Sequence, residues 1–120
     1  MQLEVAIDCA DPDRLAGFWC AALDYRPGPA APPYVTLLPK SGAGIPVVLQ
    51  AVPEPKRGKN RVHLDLYVED HEAEAARLIA LGASRIDLGV AETAGCHWIV
   101  LADPEGNEFC VCRRDEATTA

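Results

Sequence analysis

No stretch of this chain approaches the roughly 20 consecutive apolar residues that a membrane-spanning helix needs. Its start runs directly into an alternating pattern, without a basic segment and apolar core ahead of it, so no secretory leader is expected and a cytoplasmic location follows. Paired cysteines are missing too. Cys9, Cys20, Cys96, Cys110 and Cys112 make an odd set with no Cys-x-x-Cys, which excludes a disulfide framework or a zinc ribbon and leaves reduced thiols. Positive charge is in short supply, with 11 Lys and Arg against 18 Asp and Glu and a net charge of −7. That balance argues against a nucleic-acid backbone or an anionic membrane as partner. There is no phosphate-cradling Gly-rich loop, hydrolase elbow or nucleic-acid module.

What is present reads as a globular domain. The chain has 120 residues, 49% of them apolar, and zero mean hydropathy, enough to bury a core without staples. Leu3 to Cys9 alternates as a strand. Asp11-Pro12-Asp13 opens a helix over about 12–23, with Asp11 as N-cap and an apolar stripe of Leu15, Phe18, Trp19, Ala22 and Leu23. Residues 27–33 hold four prolines and read as a loop. Tyr34–Leu38 and Ile45–Val52 read as strands joined by a Gly-rich hairpin, the second disturbed by Pro46. After a linker, a strand is expected over 61–68. Asp70 then caps a helix over 71–81 whose apolar side is Ala73, Ala76, Leu78, Ile79 and Leu81, with Gly82 as its C-terminal cap. Ser84–Leu88 reads as a strand, Gly89–Gly95 as a loop and His97–Ala102 as a strand. Asp103-Pro104-Glu105-Gly106-Asn107 is a tight turn, Glu108–Arg113 the last strand, and Asp115–Ala120 a frayed tail.

The segment 59–70 organises the rest. In a strand, Val62, Leu64, Leu66 and Val68 face one way, and Arg61, His63, Asp65 and Tyr67 the other. It echoes the start of the chain at an offset of 59, which sets Glu4 on His63, Ala6 on Asp65, Asp8 on Tyr67 and Asp11 on Asp70. Near the end Gln50 falls on Cys110. Strand, helix and two or three strands thus occur twice, as module one over about 1–53, a linker over 53–60, and module two over about 61–114, within one domain. The expected fold is α+β, with two βαβββ-type modules related by a pseudo-twofold, helices outside and curved sheets around a shared cup.

This order of elements resembles the modules of the vicinal oxygen chelate superfamily, the glyoxalase, bleomycin-resistance and dioxygenase proteins. Ile7-Asp8-Cys9-Ala10-Asp11-Pro12, Lys59 to Leu66, and Leu101-Ala102-Asp103-Pro104-Glu105-Gly106-Asn107 to Val111 look like the small actinobacterial glyoxalase-like type. In metal-dependent members four ligands, usually His, Glu or Gln, come from equivalent strands. The resemblance places them at Glu4, Gln50, His63 and Cys110, with Cys110 standing where Glu is usual. A thiol in that set favours Zn²⁺ if any divalent ion is held, by Glu4 and His63 with Gln50 or Cys110. With only two strong ligands, no resident metal or other cofactor is expected.

The resemblance implies a small-molecule-binding protein. One form is a lyase or isomerase acting next to a carbonyl, with Glu4 or His63 as base. A second is a non-catalytic binder of a drug or metabolite, and a third a vestigial cup serving as a dimerisation module. Expected partners are a small-molecule ligand and a second copy of the chain, but neither nucleic acid nor membrane. His63 and Asp65 stand two apart on one face, so the carboxylate can hold the imidazole and raise its basicity; as plain structure they would pair with Arg61 or Lys59. Gln50, Asp65, Tyr67, Trp98 and Cys110 are the candidate ligand-binding residues, Trp98 fitting a core position equally well. Cys110 as a nucleophile would need His63 as its base. Lys56, Arg57, Lys59 and Arg61 form a basic cluster, either greeting an anionic group or forming a solvated linker.

Overall fold

A computed structural model of the chain describes residues 1–86 and 92–116. Two compact units are present, Met1–Arg57 and Gly58–Ala120. Each is a mixed sheet with a helix packed on it, so the fold is α+β and is built of two βαβββ-like modules.

In the first unit β1 (Val5–Cys9) leads through α1 (Pro12–Leu23) to β2 (Tyr25–Ala31), β3 (Tyr34–Pro39) and β4 (Val47–Ala51). The strand order is β1-β4-β3-β2, with β1 parallel to β4 and the other pairs antiparallel. The carboxylate of Asp11 accepts the Arg14 N–H at 3.2 Å, satisfying one of the orphan donors of the first turn, and Pro12 fills the first helical position where no N–H is needed. Leu15, Phe18, Trp19 and Ala22 are buried on the stripe the sequence marks, and Phe18 meets Trp19 edge to face at 5.1 Å. Helix α1 packs against β2, β3 and β4, where Leu37 and Leu49 are fully buried; each such side chain contributes about 1.5–3 kcal/mol.

The proline-rich segment 27–33, expected as a loop, is mostly strand. Because β2 is an edge of its sheet, a missing N–H there leaves no partner wanting on the open side, and the ladder absorbs the prolines in a register shift between Pro27 and Ala30.

In the second unit β5 (Asp65–Tyr67) precedes α2 (His71–Ala80), followed by β6 (Ser84–Ile86), β7 (Glu92–Thr93), β8 (Cys96–Ala102) and β9 (Glu108–Arg114). The order is β5-β9-β8-β6, with β5 parallel to β9 and the two-residue β7 paired to β8. Asp70 caps α2, its carboxylate accepting the Ala73 N–H at 3.0 Å. Gly82 follows the helix at φ +123°, which lets the Ala83 N–H reach back to the Leu78 carbonyl at 3.0 Å. The turn 103–107 is held by one buried carboxylate: Asp103 accepts the N–H groups of Glu105 at 2.8 Å and Asn107 at 3.0 Å, and the Asn107 side-chain amide. Gly106 supplies the positive φ, and β8 and β9 leave the turn as an antiparallel pair.

Several expectations need correction here. The strand 61–68 is only three residues long, Asp65–Tyr67. Its partner explains this: Asp65 lies opposite Cys110, so residues before His63 would have to pair with the turn that precedes Glu108. Instead Asn60 takes the start of β9, its N–H donating to Glu108 Oε1 at 2.8 Å and its side-chain amide to the Glu108 carbonyl at 3.2 Å. Val62 is consequently exposed rather than inward. The inward side of α2 is Ala75 and Leu78; Ala73, Ala76, Ile79 and Leu81 are exposed. Four of the five residues assigned to the apolar side sit off the i, i+3, i+4 line that faces β8 and β9. Within 89–95, expected as a loop, residues 92–93 pair with β8; residues 87–91 lie outside the described residues, as do 117–120 of the expected tail. Asp115 is not frayed: its N–H donates to the Gly95 carbonyl at 2.9 Å, and its carboxylate meets His97 Nε2 at 2.9 Å and Arg113 at 3.1 Å. Among the described residues no helix is long and apolar enough to cross a membrane.

Candidate functional site

The strand β9 is flanked by β5 and β8, and register decides what shares a face with it. Asp65 and Val100 lie opposite Cys110; Tyr67 and Trp98 lie opposite Cys112. Neighbours in register point the same way, so these six side chains form one face, while the alternate residues Ile99, Leu101, Phe109 and Val111 are buried on the strands against which α2 packs. A cavity of about 470 Å³ stands on the first face, lined by His63, Asp65, Tyr67, Trp98 and Cys110, with Lys59, Asn60, Thr93, Cys96, Val100, Glu108, Phe109 and Cys112.

Its polar centre is a pair. His63 Nδ1 lies 2.9 Å from Asp65 Oδ1, and the two side chains are 40% and 41% exposed. With Asp65 accepting the Nδ1 hydrogen, Nε2 of the neutral ring is left as the acceptor. Asp65 also faces the Cys110 thiol across the strand pair. The ligating atoms of His63, Asp65 and Cys110 all fall within 4.8 Å of one another.

Both thiols of β9 are neutral. Burial, and then the charge of Asp65 and the hydrogen bond to it, push the half-buried Cys110 up to about 11, against a small opposing pull from Lys59. Burial first, then Asp65 and the neighbouring thiols, push Cys112 up to about 12. A nucleophilic Cys110 therefore lacks its activation: the carboxylate facing it opposes the thiolate. The Tyr67 ring carries the Arg114 guanidinium at 3.9 Å from its centroid, and its phenol is held above the usual range, first by its hydrogen bond with Cys96.

Of the residues singled out from sequence, His63, Asp65, Tyr67, Trp98 and Cys110 come together. Glu4 and Gln50 belong to the first unit, Glu4 exposed ahead of β1 and Gln50 half-buried in β4. Pairing there sets Gln50 opposite Asp8, whereas Tyr67, the counterpart of Asp8, pairs with Cys112. The second-module match of Gln50 is thus Cys112, not Cys110. Lys59 lines the cavity, while Lys56, Arg57 and Arg61 of the basic cluster are exposed and outside it. Cys112 shares the strand face of Cys110, as the alternation of the last strand indicates, whereas Cys96, Glu108 and Asn60 also line the cavity and were not singled out.

The glyoxalase-like domain family matches residues 4–112. The chain belongs to that family. It therefore falls within the glyoxalase/bleomycin resistance/dioxygenase superfamily, and the folds of solved members agree. A glyoxalase/bleomycin resistance protein/dioxygenase family enzyme from Burkholderia phytofirmans PsJN is similar with a TM-score of 0.74 at 21% identity, over 93% of this chain and 97% of that one. A glyoxalase/bleomycin resistance protein/dioxygenase from Nocardioides reaches 0.75 at 14% identity, over 97% and 84%. The fosfomycin resistance protein FosX from Mesorhizobium loti reaches 0.73 at 15% identity, over 99% and 96%. No curated protein matches.

The glyoxalase-like family raises the question of a metal. The four positions carried over from its metal-dependent members do not suit a hard Lewis-acid ion in this chain. Such an ion wants carboxylate oxygen and imidazole. The last strand of the second module offers two neutral thiols instead, at Cys110, pushed up to about 11, and at Cys112, which is 3% exposed. The chemistry that follows is accordingly that of the side chains themselves.

Proposed function

We propose that this glyoxalase-like domain binds a small carbonyl compound in the cavity of its second unit and moves a proton at the carbon next to the carbonyl, as a lyase or isomerase. The His63–Asp65 pair carries the reading. Nε2 of His63 takes the proton, the C–H electron pair passes into an enolate, and Asp65 holds the ring by Nδ1 and steadies the imidazolium that forms. For an α-hydroxycarbonyl, return of the proton from Nε2 to the former carbonyl carbon, with the hydroxyl proton passing to the enolate oxygen, completes an isomerisation. The ammonium of Lys59, on the same cavity, is the group suited to the developing oxyanion. Trp98, Val100 and Tyr67 supply flat apolar wall for the body of the ligand. Glu4, the other base the sequence offers, has no role in this scheme.

The test is exchange of α-hydrogens for deuterium, followed by NMR, across a panel of 2-oxo acids, 1,2-dicarbonyls and α-hydroxycarbonyls. At least one compound should exchange, and His63→Ala should slow it by about 10²–10⁴-fold with the melting temperature little changed, since His63 is exposed and outside the strands. Exchange that survives in His63→Ala refutes the role. A second reading, sequestration without turnover, is favoured by the openness of the pair to solvent, 40% and 41% exposed, since water around it competes with a reacting carbon. Saturable quenching of tryptophan fluorescence with no exchange in any compound would select it.

A further inference from the structure

One guanidinium of the second unit is left open beside the cavity. Arg77, Arg85 and Arg113 meet the carboxylates of Glu74, Glu72 and Asp115. Among the described residues Arg114 meets none, and its guanidinium lies instead over the Tyr67 ring, 3.9 Å from the centroid. Register sets where it stands. Arg114 follows Cys110 and Cys112 in the alternation of β9, and its partner across the ladder is Cys96. Tyr67, Cys96 and Cys112 all line the cavity, so Arg114 stands on the cavity face, at its end. The pairing with Cys96 and the Asp115 N–H on the Gly95 carbonyl at 2.9 Å fix its backbone there. The ring contact steadies the side chain and leaves the N–H donors along the guanidinium edge unspent.

We propose that Arg114 recognises a carboxylate on the ligand, so that the cavity takes a carbonyl compound that is also a carboxylic acid. A guanidinium presents two parallel N–H donors, the spacing that the two oxygens of a carboxylate accept. Its single charge also matches a carboxylate, where a phosphate dianion would keep one charge unmet. The carboxylates of the cavity itself are engaged by other partners, Asp65 by His63 and Glu108 by Asn60, and leave the guanidinium to an incoming anion. Tyr67, which carries Arg114, stands two residues along β5 from Asp65, which holds His63. That is about 7 Å, so one small molecule reaches both ends with its body against Trp98 and Val100. The assignment rests on the cavity as the ligand's place, as proposed above, and not on any proton being moved there.

Calorimetric titration of the full chain reads binding without turnover. The probes are phenylpyruvate, levulinate and benzoylformate, the last with no α-hydrogen to give, each beside its methyl ester, which keeps the shape and loses the charge. At least one acid should bind about tenfold more tightly than its ester, and the ratio should shrink as salt is raised. Arg114→Gln should weaken that acid about 10–100-fold and leave the ester unchanged. Arg114→Lys, which keeps the charge without the fork, should recover part of the loss. Arg85→Gln should alter neither, because Arg85 lies opposite Leu101 on the face that α2 covers. Arg114 is exposed, so its variants should keep the wild-type urea midpoint; should Arg114→Gln fail to fold, Arg114→Lys and the salt dependence of the wild-type chain carry the test. No acid bound, acid and ester bound alike, or a loss in Arg114→Gln that the ester shares each overturns the proposal. Acid binding that depends on Arg114 in a protein that exchanges no hydrogen supports it while refuting proton transfer at His63, so the two failures are told apart.

Discussion

Asp65→Asn should make Cys110 more reactive, although it takes away a polar partner. The thiol stands at about 11 against an ordinary 9.0, with burial the largest cause and the charge and hydrogen bond of Asp65 next. Near pH 8 that rise leaves about a hundredth of the thiolate an unperturbed cysteine would show, and alkylation slows about 100-fold in proportion. Asparagine keeps the size of the side chain and removes its charge. The burial contribution stays and the Asp65 contributions go, so the thiol pKa falls and the rate at pH 8 rises by about tenfold. It should still lag behind a free cysteine, because burial persists. Iodoacetamide labelling from pH 7 to 10, read peptide by peptide in a mass spectrometer, gives both the rate and the pH profile for Cys110. Cys112, 3% exposed, should label far more slowly in both proteins. An unchanged or slower Cys110 in Asp65→Asn would mean that the carboxylate does not act on the thiol, and the geometry of the site would be wrong.

Two further outcomes concern stability. Cys110 and Cys112 hold their protons in the folded state up to about 11 and about 12, where an unfolded chain releases them near 9.0; stability is therefore full below pH 9 and is lost as pH climbs from there towards 11–12, so the urea midpoint should fall between pH 8 and pH 10, and by less in Cys112→Ala. A midpoint flat across that range would show that the thiols are not buried as described. Asp103→Ala should destabilise the chain by about 3 kcal/mol in urea titration, because the half-buried N–H groups of Glu105 and Asn107 lose their buried acceptor; a change under about 1 kcal/mol would mean that the turn is held by other contacts.

Much of the site was legible because its code is local. Alternation alone separates His63, Asp65 and Tyr67 from Leu64, Leu66 and Val68, and the structure leaves the first three exposed and the last three half-buried. An aspartate ahead of an apolar stripe marks a helix start, and both Asp11 and Asp70 accept a backbone N–H there. Asp103-Pro104-Glu105-Gly106-Asn107 names its own turn by side-chain chemistry. These signals act over a few residues, so the order of elements and the βαβββ repeat could be read from them.

What the chain alone left undecided depends on partners distant in sequence. Whether 27–33 is loop or strand turns on β2 being an edge, which no residue within it encodes. The length of β5 is set by where β9 begins, and Asn60 can end the strand only because Glu108 is brought beside it. The inward face of α2 is chosen by β8 and β9, so that Ala75 is buried and Ile79 is not. Register likewise paired Gln50 with Asp8 and Cys112 with Tyr67, moving the module equivalence off Cys110. Composition, caps, turns and the alternation of His63, Asp65 and Tyr67 thus came from the sequence by itself, through short-range sterics and hydrogen bonds. The place of Cys96 in the cavity wall, the pairing that sets Cys110 beside Asp65 and the neutral state of the Cys110 sulfur came only from tertiary structure, because strand pairing and burial are properties of neighbours the local sequence does not name.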